Sequence, residues 1–208
     1  MLTRPLSANP YWLRTLVGLL LLTVMSGANS AEEPARHRFR SVPLNQLTLP
    51  CDLTALNAEY VAALNYRRAQ RNPGARPAHF EAGLLPGTFL HTYEMERRDS
   101  LYHDRDDRTV GEICASVSNL APYRGRPREL ARYIWTRFHN SPPHAAIQRD
   151  TSLRFVSVSC LNDFFVVRLS SRPYRANATR QQQFQQTLAI VQAATARQAR
   201  QARLAIRR

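Results

Sequence analysis

The 208-residue chain contains no lysine, only three cysteines and only seven glycines. Three cysteines are too few for a disulfide-dense scaffold, and without a CxxC pair they do not indicate a structural zinc site. The low glycine content excludes a collagen-like chain. A composition of 44% hydrophobic, 9% aromatic and 21% charged residues also argues against a fully disordered protein. Length and composition together predict one domain with a hydrophobic core, plus appendages.

The N-terminal region has no apolar run of the length that a membrane span requires. Arg4 and Arg14 precede a mainly apolar segment over residues 16–25, which is followed by the small residues SGANSA. This order is typical of a secretory signal, whereas a transmembrane helix needs about 20 apolar residues. We predict a signal peptide over residues 1–30, cleaved after Ser30, and an extended linker over residues 31–50. The mature protein is then secreted or periplasmic and has no transmembrane span.

The positive charge is concentrated near the C-terminus. All 29 basic residues are arginines, and with 15 acidic residues they give a net charge of +14. Residues 174–208 contain seven of these arginines and no acidic residue. Phe184, Leu188 and Val191 recur there at helical spacing, so we predict a basic tail rich in Ala, Gln and Arg that is helical or disordered. Two interpretations stay open: a solvated extension, or a segment that contacts anionic surfaces such as lipid, nucleic acid or acidic glycan.

The hydrophobic spacing of the central region predicts helices first and strands last. Asp52 can cap the first helix, and the link Leu161-Asn162-Asp163 is short enough to join two strands as a hairpin. Helices followed by an antiparallel hairpin favour the α+β class. The predicted helices cover residues 52–71, 86–99 and 128–138, and the predicted strands cover residues 109–117, 153–160 and 164–170.

A series of motifs along this region gives the chain a family resemblance. His103 is followed by Gly111-Glu112, then by a helix bearing Trp135, and then by the sequence NSPPH, which ends at His144. This order resembles the short bacterial secreted branch of the CAP superfamily (cysteine-rich secretory proteins, antigen five and pathogenesis-related proteins). The resemblance implies a CAP-like domain over residues 51–173, folded as a three-layer α-β-α sandwich with a central antiparallel sheet.

The resemblance also implies a central cleft lined by His103, Glu112 and His144. Two imidazoles and a carboxylate suit zinc, so His103 and His144 are candidate metal ligands and zinc is the candidate cofactor. The same three residues can instead hold one another by hydrogen bonds. His79, His91 and His139 have no partner pattern and are interpreted as structural or surface residues.

The chain departs from the family pattern around this cleft. Ile113 replaces the Asn that follows Gly-Glu, and Pro143 replaces the Gly before the last His. Ala145 and Ala146 stand where an Arg and an Asn usually follow. A second carboxylate, which longer members carry one turn beyond the Trp, has no counterpart near residues 136–138. These changes weaken any inference of catalysis.

Three classes of function remain compatible with the sequence. The first is a secreted, non-enzymatic module that binds a small apolar ligand, a glycan or a protein through the His/Glu cleft. The second is a metal-assisted hydrolase with Glu112 as base and His103 and His144 as ligands. The third is a basic adhesion protein that acts through its tail. No catalytic residue is predicted for the first class, and Ser141 lacks the surroundings of a nucleophile.

Export to an oxidising compartment permits a disulfide bond. Cys114 and Cys160 both fall on strands of the predicted sheet, whereas Cys51 lies beside the proline-containing linker. We therefore predict a bridge between Cys114 and Cys160, with Cys51 left free.

Overall fold

The computed structural model of the protein describes residues 42–43, 46–104, 110–117 and 119–206. The predicted signal peptide and most of the predicted linker lie outside these residues. The described part contains five α-helices and a mixed four-stranded sheet, which confirms the α+β class. In chain order the elements are α1 (Leu53–Arg71), β1 (His79–Phe80), α2 (Leu85–Arg98), β2 (Gly111–Ser116), α3 (Pro127–His139), α4 (Pro142–Arg149), β3 (Phe155–Leu161), β4 (Phe164–Ser170) and α5 (Ala178–Ile206).

The strands are arranged in the order β1-β3-β4-β2. The predicted hairpin is present: β3 and β4 pair antiparallel around Asn162, whose φ of 37° lies in the left-handed region that Asn tolerates better than most residues. β2 pairs antiparallel with the other edge of β4. β1 pairs parallel with β3, so the prediction of a wholly antiparallel sheet is wrong at this edge. A strand of two residues carries no alternation that sequence analysis can detect.

Successive residues of the central strands enter different hydrophobic clusters. Val156, Val158 and Cys160 of β3 join a cluster that includes residues of α1 and α3, and we call this side of the sheet the α1 face. In β4, Phe165 and Val167 join the same cluster, whereas Phe164 and Val166 pack with Met95 of α2, on the side that we call the α2 face. This separation follows from the alternation of side chains along a strand.

The helix boundaries follow from local chemistry. The Asp52 carboxylate accepts a hydrogen bond of 2.8 Å from the Ala55 N–H, which confirms Asp52 as the cap of α1. α2 ends at Arg98, and the next residue, Asp99, has a φ of 46°. α4 starts at Pro142 and Pro143, because proline is favoured in the first helical turn, where its missing N–H costs nothing. The motif NSPPH is therefore the start of a helix that periodicity did not indicate.

Side-chain amides of α1 extend the edge of the sheet. Asn57 donates from Nδ2 to the Val158 carbonyl at 2.9 Å, and its Oδ1 accepts from the Val158 N–H at 2.8 Å. Asn65 forms the same pair of bonds with the backbone of Ala78, at 2.8 and 2.7 Å. Because β1 is short, β3 is left with backbone groups that β1 cannot pair, and Asn57 supplies those hydrogen bonds.

The basic tail forms the long helix α5 between Ala178 and Ile206. Phe184, Val191 and Ala194 are buried, and the Phe184 ring contacts the Phe89 ring of α2 edge-on, with 5.3 Å between centroids. At these positions the tail is part of the core rather than a solvated extension. None of the described helices combines the length and the apolar character needed to cross a bilayer.

The predicted disulfide is contradicted by the strand order. Cys51, Cys114 and Cys160 are all free and buried. β4 lies between the strands that carry Cys114 and Cys160, which separates their Cα atoms by about twice the 4.8 Å strand spacing, beyond the roughly 4.4–6.8 Å that a bridge allows. The two side chains also enter clusters on opposite faces of the sheet.

Candidate functional site

The carboxylate of Glu112 is the centre of a polar cluster on the α2 face. Glu112 lies on β2 directly opposite Arg168 of β4. Its Oε2 accepts hydrogen bonds from Arg168 Nε at 2.9 Å and Nη2 at 2.8 Å. This two-point contact holds a side chain that is only 7% exposed.

The second oxygen of Glu112 faces the chain segment that follows α2. Its Oε1 accepts a hydrogen bond of 2.9 Å from the Asp104 N–H. His103 Nδ1 lies 3.2 Å away, and His91 Nε2 of α2 lies 3.4 Å away. The structure thus brings together His103 and Glu112, two of the three predicted cleft residues, and adds His91 and Arg168, which sequence analysis missed.

The surroundings of Glu112 keep its carboxyl group ionised. Burial alone would raise its pKa, but the hydrogen bond with His91, the charges of Arg168 and His91, and the Asp104 N–H together lower the pKa from 4.5 to about 2. A general base works best when its pKa lies near the working pH. Glu112 is therefore a poor base, and both of its oxygens already have partners.

Arg168 is the buried cation of the cluster. It is only 1% exposed, and its Nη2 also binds Asp104 Oδ2 at 2.6 Å. Burial would lower its pKa, but Glu112 and Asp104 outweigh that effect and raise it. The sequence held a signal for this residue, because an arginine inside the apolar strand FFVVRLS requires buried acidic partners.

His144 lies on α4, with its ring edge-on to Phe138 at 5.2 Å between centroids. Burial and, to a smaller extent, the charge of His103 lower the pKa of His144. A shared cleft of His103, Glu112 and His144 stays a prediction.

A different group of side chains could in principle hold a metal ion. One atom each of His91, Glu112 and Cys114 lies within 4.8 Å of the other two. These donors fit a hydrogen-bond network better than a metal. His91 Nε2 lies 2.9 Å from the Tyr102 carbonyl, which only accepts, so Nε2 carries a proton where a metal would need its lone pair. Burial and the charge of Glu112 raise the pKa of the Cys114 thiol to about 12, which opposes thiolate formation.

A pocket of about 630 Å³, which we call the Glu112 pocket, opens beside this cluster. Its walls come from α2, the segment 102–104 and the first turns of α5. Most of the described residues that line it are polar. They include His91, Glu94, Arg98, His103, Arg180 and Gln183.

Replacing Gly87 by alanine is expected to destabilise the protein by about 1–3 kcal/mol, because the new methyl group overpacks the site. A Cβ at Gly87 would clash with Arg168 Nη1, and Arg168 is held in place by Glu112 and Asp104. The free energy of unfolding in urea measures the effect. Gly74→Ala is the control, since its Cβ would approach no atom closer than 3.7 Å. Equal stability of the two variants would contradict a rigidly held Arg168.

Two solved structures resemble the chain at low sequence identity. An outer surface protein of Borrelia burgdorferi matches with a TM-score of 0.45 and 15% identity, over 57% of this chain and 93% of that one. An extracellular protein of Bacillus anthracis that contains an SCP domain matches with a TM-score of 0.44 and 12% identity, over 57% of this chain and 41% of that one. No family model matches the chain, and no curated protein is significantly similar to it. The function therefore has to be inferred from the site itself.

Proposed function

We propose that the chain is a secreted, non-enzymatic binding module of the CAP type, which takes a hydroxyl-rich, glycan-class ligand in the Glu112 pocket. The observation that carries the proposal is the polar lining of this pocket, in which acidic and basic side chains are paired. The pocket lies beside an ionised Glu112 whose two oxygens already have hydrogen-bond partners. The motifs that resemble the CAP superfamily support the fold assignment. The proposed cleft includes His144 on α4 as well as His103 and Glu112.

A three-layer arrangement is part of this proposal. It is supported by the division of the β3 and β4 side chains between the α1 face and the α2 face. α1 and α3 contribute to the cluster on one face, and α2 contributes to the cluster on the other. Contact of the basic tail with anionic surfaces stays a prediction.

The state of Glu112 favours binding over hydrolysis. A carboxylate with a pKa of about 2 has little tendency to take a proton from water. Its two oxygens are engaged by Arg168 on one side and by Asp104 and the imidazoles on the other. The sequence has no carboxylate near residues 136–138, where longer members of the CAP superfamily carry a second one. Acid–base catalysis by Glu112 would therefore lack its usual second carboxylate.

The lining of the pocket favours a neutral, hydroxyl-rich ligand over an apolar one. Glu94 lies 3.5 Å from Arg98, and Asp104 lies 3.9 Å from Arg180, so each charge has a partner of opposite sign. An aliphatic chain would bury these groups without hydrogen bonds, at a cost in free energy. Hydroxyl groups can both donate to the carboxylates and accept from the guanidinium groups.

Calorimetric titration with neutral and acidic oligosaccharides, and with a fatty acid and a sterol, tests the proposal. We expect saturable binding of a neutral oligosaccharide by the full chain. Gln183→Ala is expected to weaken it by about fivefold, which corresponds to one lost hydrogen bond of about 1 kcal/mol. Gln183 lines the pocket and is exposed, so its loss leaves the core intact.

Gln182→Ala is the matched control, because Gln182 is exposed on the same helix and is not part of the pocket lining. Binding of the fatty acid or the sterol without any oligosaccharide would overturn the proposal. Equal affinity of the two variants for the oligosaccharide would place the ligand elsewhere and overturn the assigned site.

A further inference from the structure

A second pocket lies among α1, α3 and α4 and shares no described residue with the Glu112 pocket. Its volume is about 50 Å³. A bound water needs roughly 10–15 Å³, so the space suits a few waters or one ligand of about five non-hydrogen atoms. We call it the Trp135 pocket. The lining residues that matter for its chemistry are Arg67, Arg71, Trp135, His139, Gln148 and Arg149.

The Trp135 pocket is strongly cationic. Arg67, Arg68, Arg71 and Arg149 line it, and none of its described lining residues is acidic. Burial and then the charges of Arg71, Arg149 and Arg67 lower the pKa of His139, so three guanidinium groups act on this one ring. A negatively charged ligand would be stabilised there.

Arg68 forms the fixed wall of the pocket. It is buried, and it donates from Nε, Nη1 and Nη2 to the carbonyls of Gln148, Leu153 and Asp150, at 2.8, 2.9 and 2.7 Å. These bonds tie α1 to the C-terminal end of α4. The Asp150 carboxylate is held by Ser152, with Oδ1 accepting from the Ser152 N–H and hydroxyl.

Gln148 carries a buried acceptor without a partner. The residue is 1% exposed, and its Oε1 has no hydrogen bond within the described part of the chain. Its Nε2 donates to the Tyr60 hydroxyl at 2.9 Å and lies 3.4 Å from the Trp135 carbonyl. A carbonyl only accepts hydrogen bonds, so Nε2 of Gln148 has to face the Trp135 carbonyl. The Gln148 amide therefore cannot flip to exchange Oε1 with Nε2. An unmet buried acceptor costs about 1–3 kcal/mol unless a ligand or water donates to it.

Trp135 and His139 each contribute one more buried polar atom without a hydrogen-bond partner. Trp135 Nε1 and His139 Nδ1 are buried and have no partner among the described residues. The two rings stack with 4.4 Å between centroids, and the Arg67 guanidinium packs 5.0 Å from the centre of the indole ring. The indole is therefore fixed, and its Nε1–H can only donate.

We propose that the Trp135 pocket binds a phosphate-class oxyanion that retains a proton, with its oxygens accepting from Trp135 Nε1–H and the arginines and its hydroxyl donating to Gln148 Oε1. The positive lining selects an anion. The acceptor of Gln148 selects one that still carries a hydroxyl group, as inorganic phosphate does at neutral pH and sulfate does not. The pocket volume favours the free ion over its larger esters.

Calorimetric titration of the full chain with inorganic phosphate, sulfate and glycerol phosphate in chloride buffer tests the proposal. We expect one saturable phosphate site, with sulfate weaker by about tenfold or more, since sulfate leaves Gln148 Oε1 unpaired. The double variant Arg71→Met/Arg149→Met is expected to weaken phosphate binding by about tenfold. Both residues line the pocket and are exposed, so we expect the variant to keep its fold.

Arg132→Met/Arg137→Met is the matched control, because it removes the same charge from exposed positions of α3 outside the pocket lining. Absence of saturable binding at millimolar phosphate would mean that water alone fills the pocket, and would overturn the proposal. Sulfate binding equal to phosphate would overturn the role of Gln148. Equal losses in the two double variants would overturn the location, and glycerol phosphate binding as tight as phosphate would overturn the preference for the free ion.

Discussion

Arg168→Met is expected to destabilise the protein by about 3–5 kcal/mol, because it leaves buried carboxylates without their cation. Arg168 is the shared partner of Glu112 and Asp104, and all three side chains are largely withdrawn from water. Methionine keeps most of the volume of the arginine stem, so the loss measures charge rather than packing. The free energy of unfolding in urea at neutral pH gives the value.

The pH dependence of stability provides a second measurement on the same cluster. The pKa of Glu112 is about 2 in the folded protein against 4.5 for an ordinary glutamate, so protonation favours the unfolded chain. Its contribution is complete above about pH 4.5 and is lost as the pH falls towards 2. Glu112→Gln is expected to lower stability at neutral pH and to flatten this acid-dependent loss.

Arg172→Met is the control for both measurements, since Arg172 is exposed and belongs to no described ion pair. It is expected to change stability by less than about 0.5 kcal/mol. If Arg168→Met and Glu112→Gln proved additive in a double-mutant cycle, the two side chains would be energetically independent, contrary to the two hydrogen bonds that Arg168 donates to Glu112 Oε2.

The helices and the hairpin were accessible to sequence analysis because each has a local signal. Spacing of Leu56, Tyr60 and Leu64 indicated α1, and the short link at Asn162 indicated the β3–β4 hairpin. The elements that were missed lack such signals. β1 has two residues and pairs with a strand distant in sequence, and α4 starts at two prolines that also suit a turn. Packing of α5 depends on the tertiary environment of Phe184 and Val191 rather than on charge.

The candidate site was predictable only in part. His103 and Glu112 were identified through a motif order, since no local rule joins residues on a loop and a strand. His91 carries no sequence signal for the site, because its partner Glu112 lies on a different element. Arg168 did carry a signal, as the only charged residue of β4. The disulfide prediction failed because sequence gives strands but not their order across the sheet.

Asn57→Leu is expected to cost about 2–4 kcal/mol, from two buried backbone groups at about 1–2 kcal/mol each. Asn57 is 1% exposed and is the hydrogen-bond partner of both the N–H and the carbonyl of Val158. Leucine has a similar volume, so no large cavity accompanies the loss. Stability in urea gives the size of the effect, and amide hydrogen exchange at Val158 should become faster.

Asn65→Leu is the matched comparison, because Asn65 makes the same two bonds with Ala78 but is only partly buried. Water can replace its amide, so we expect a loss of about 1 kcal/mol or less and unchanged exchange at Val158. The two substitutions share residue type and bonding pattern. The difference between their losses in free energy of unfolding therefore gives the cost of leaving buried backbone groups of β3 without hydrogen-bond partners. A larger loss at Asn65 than at Asn57 would show that β1, and not the unpaired stretch of β3, is the weak point of this sheet edge.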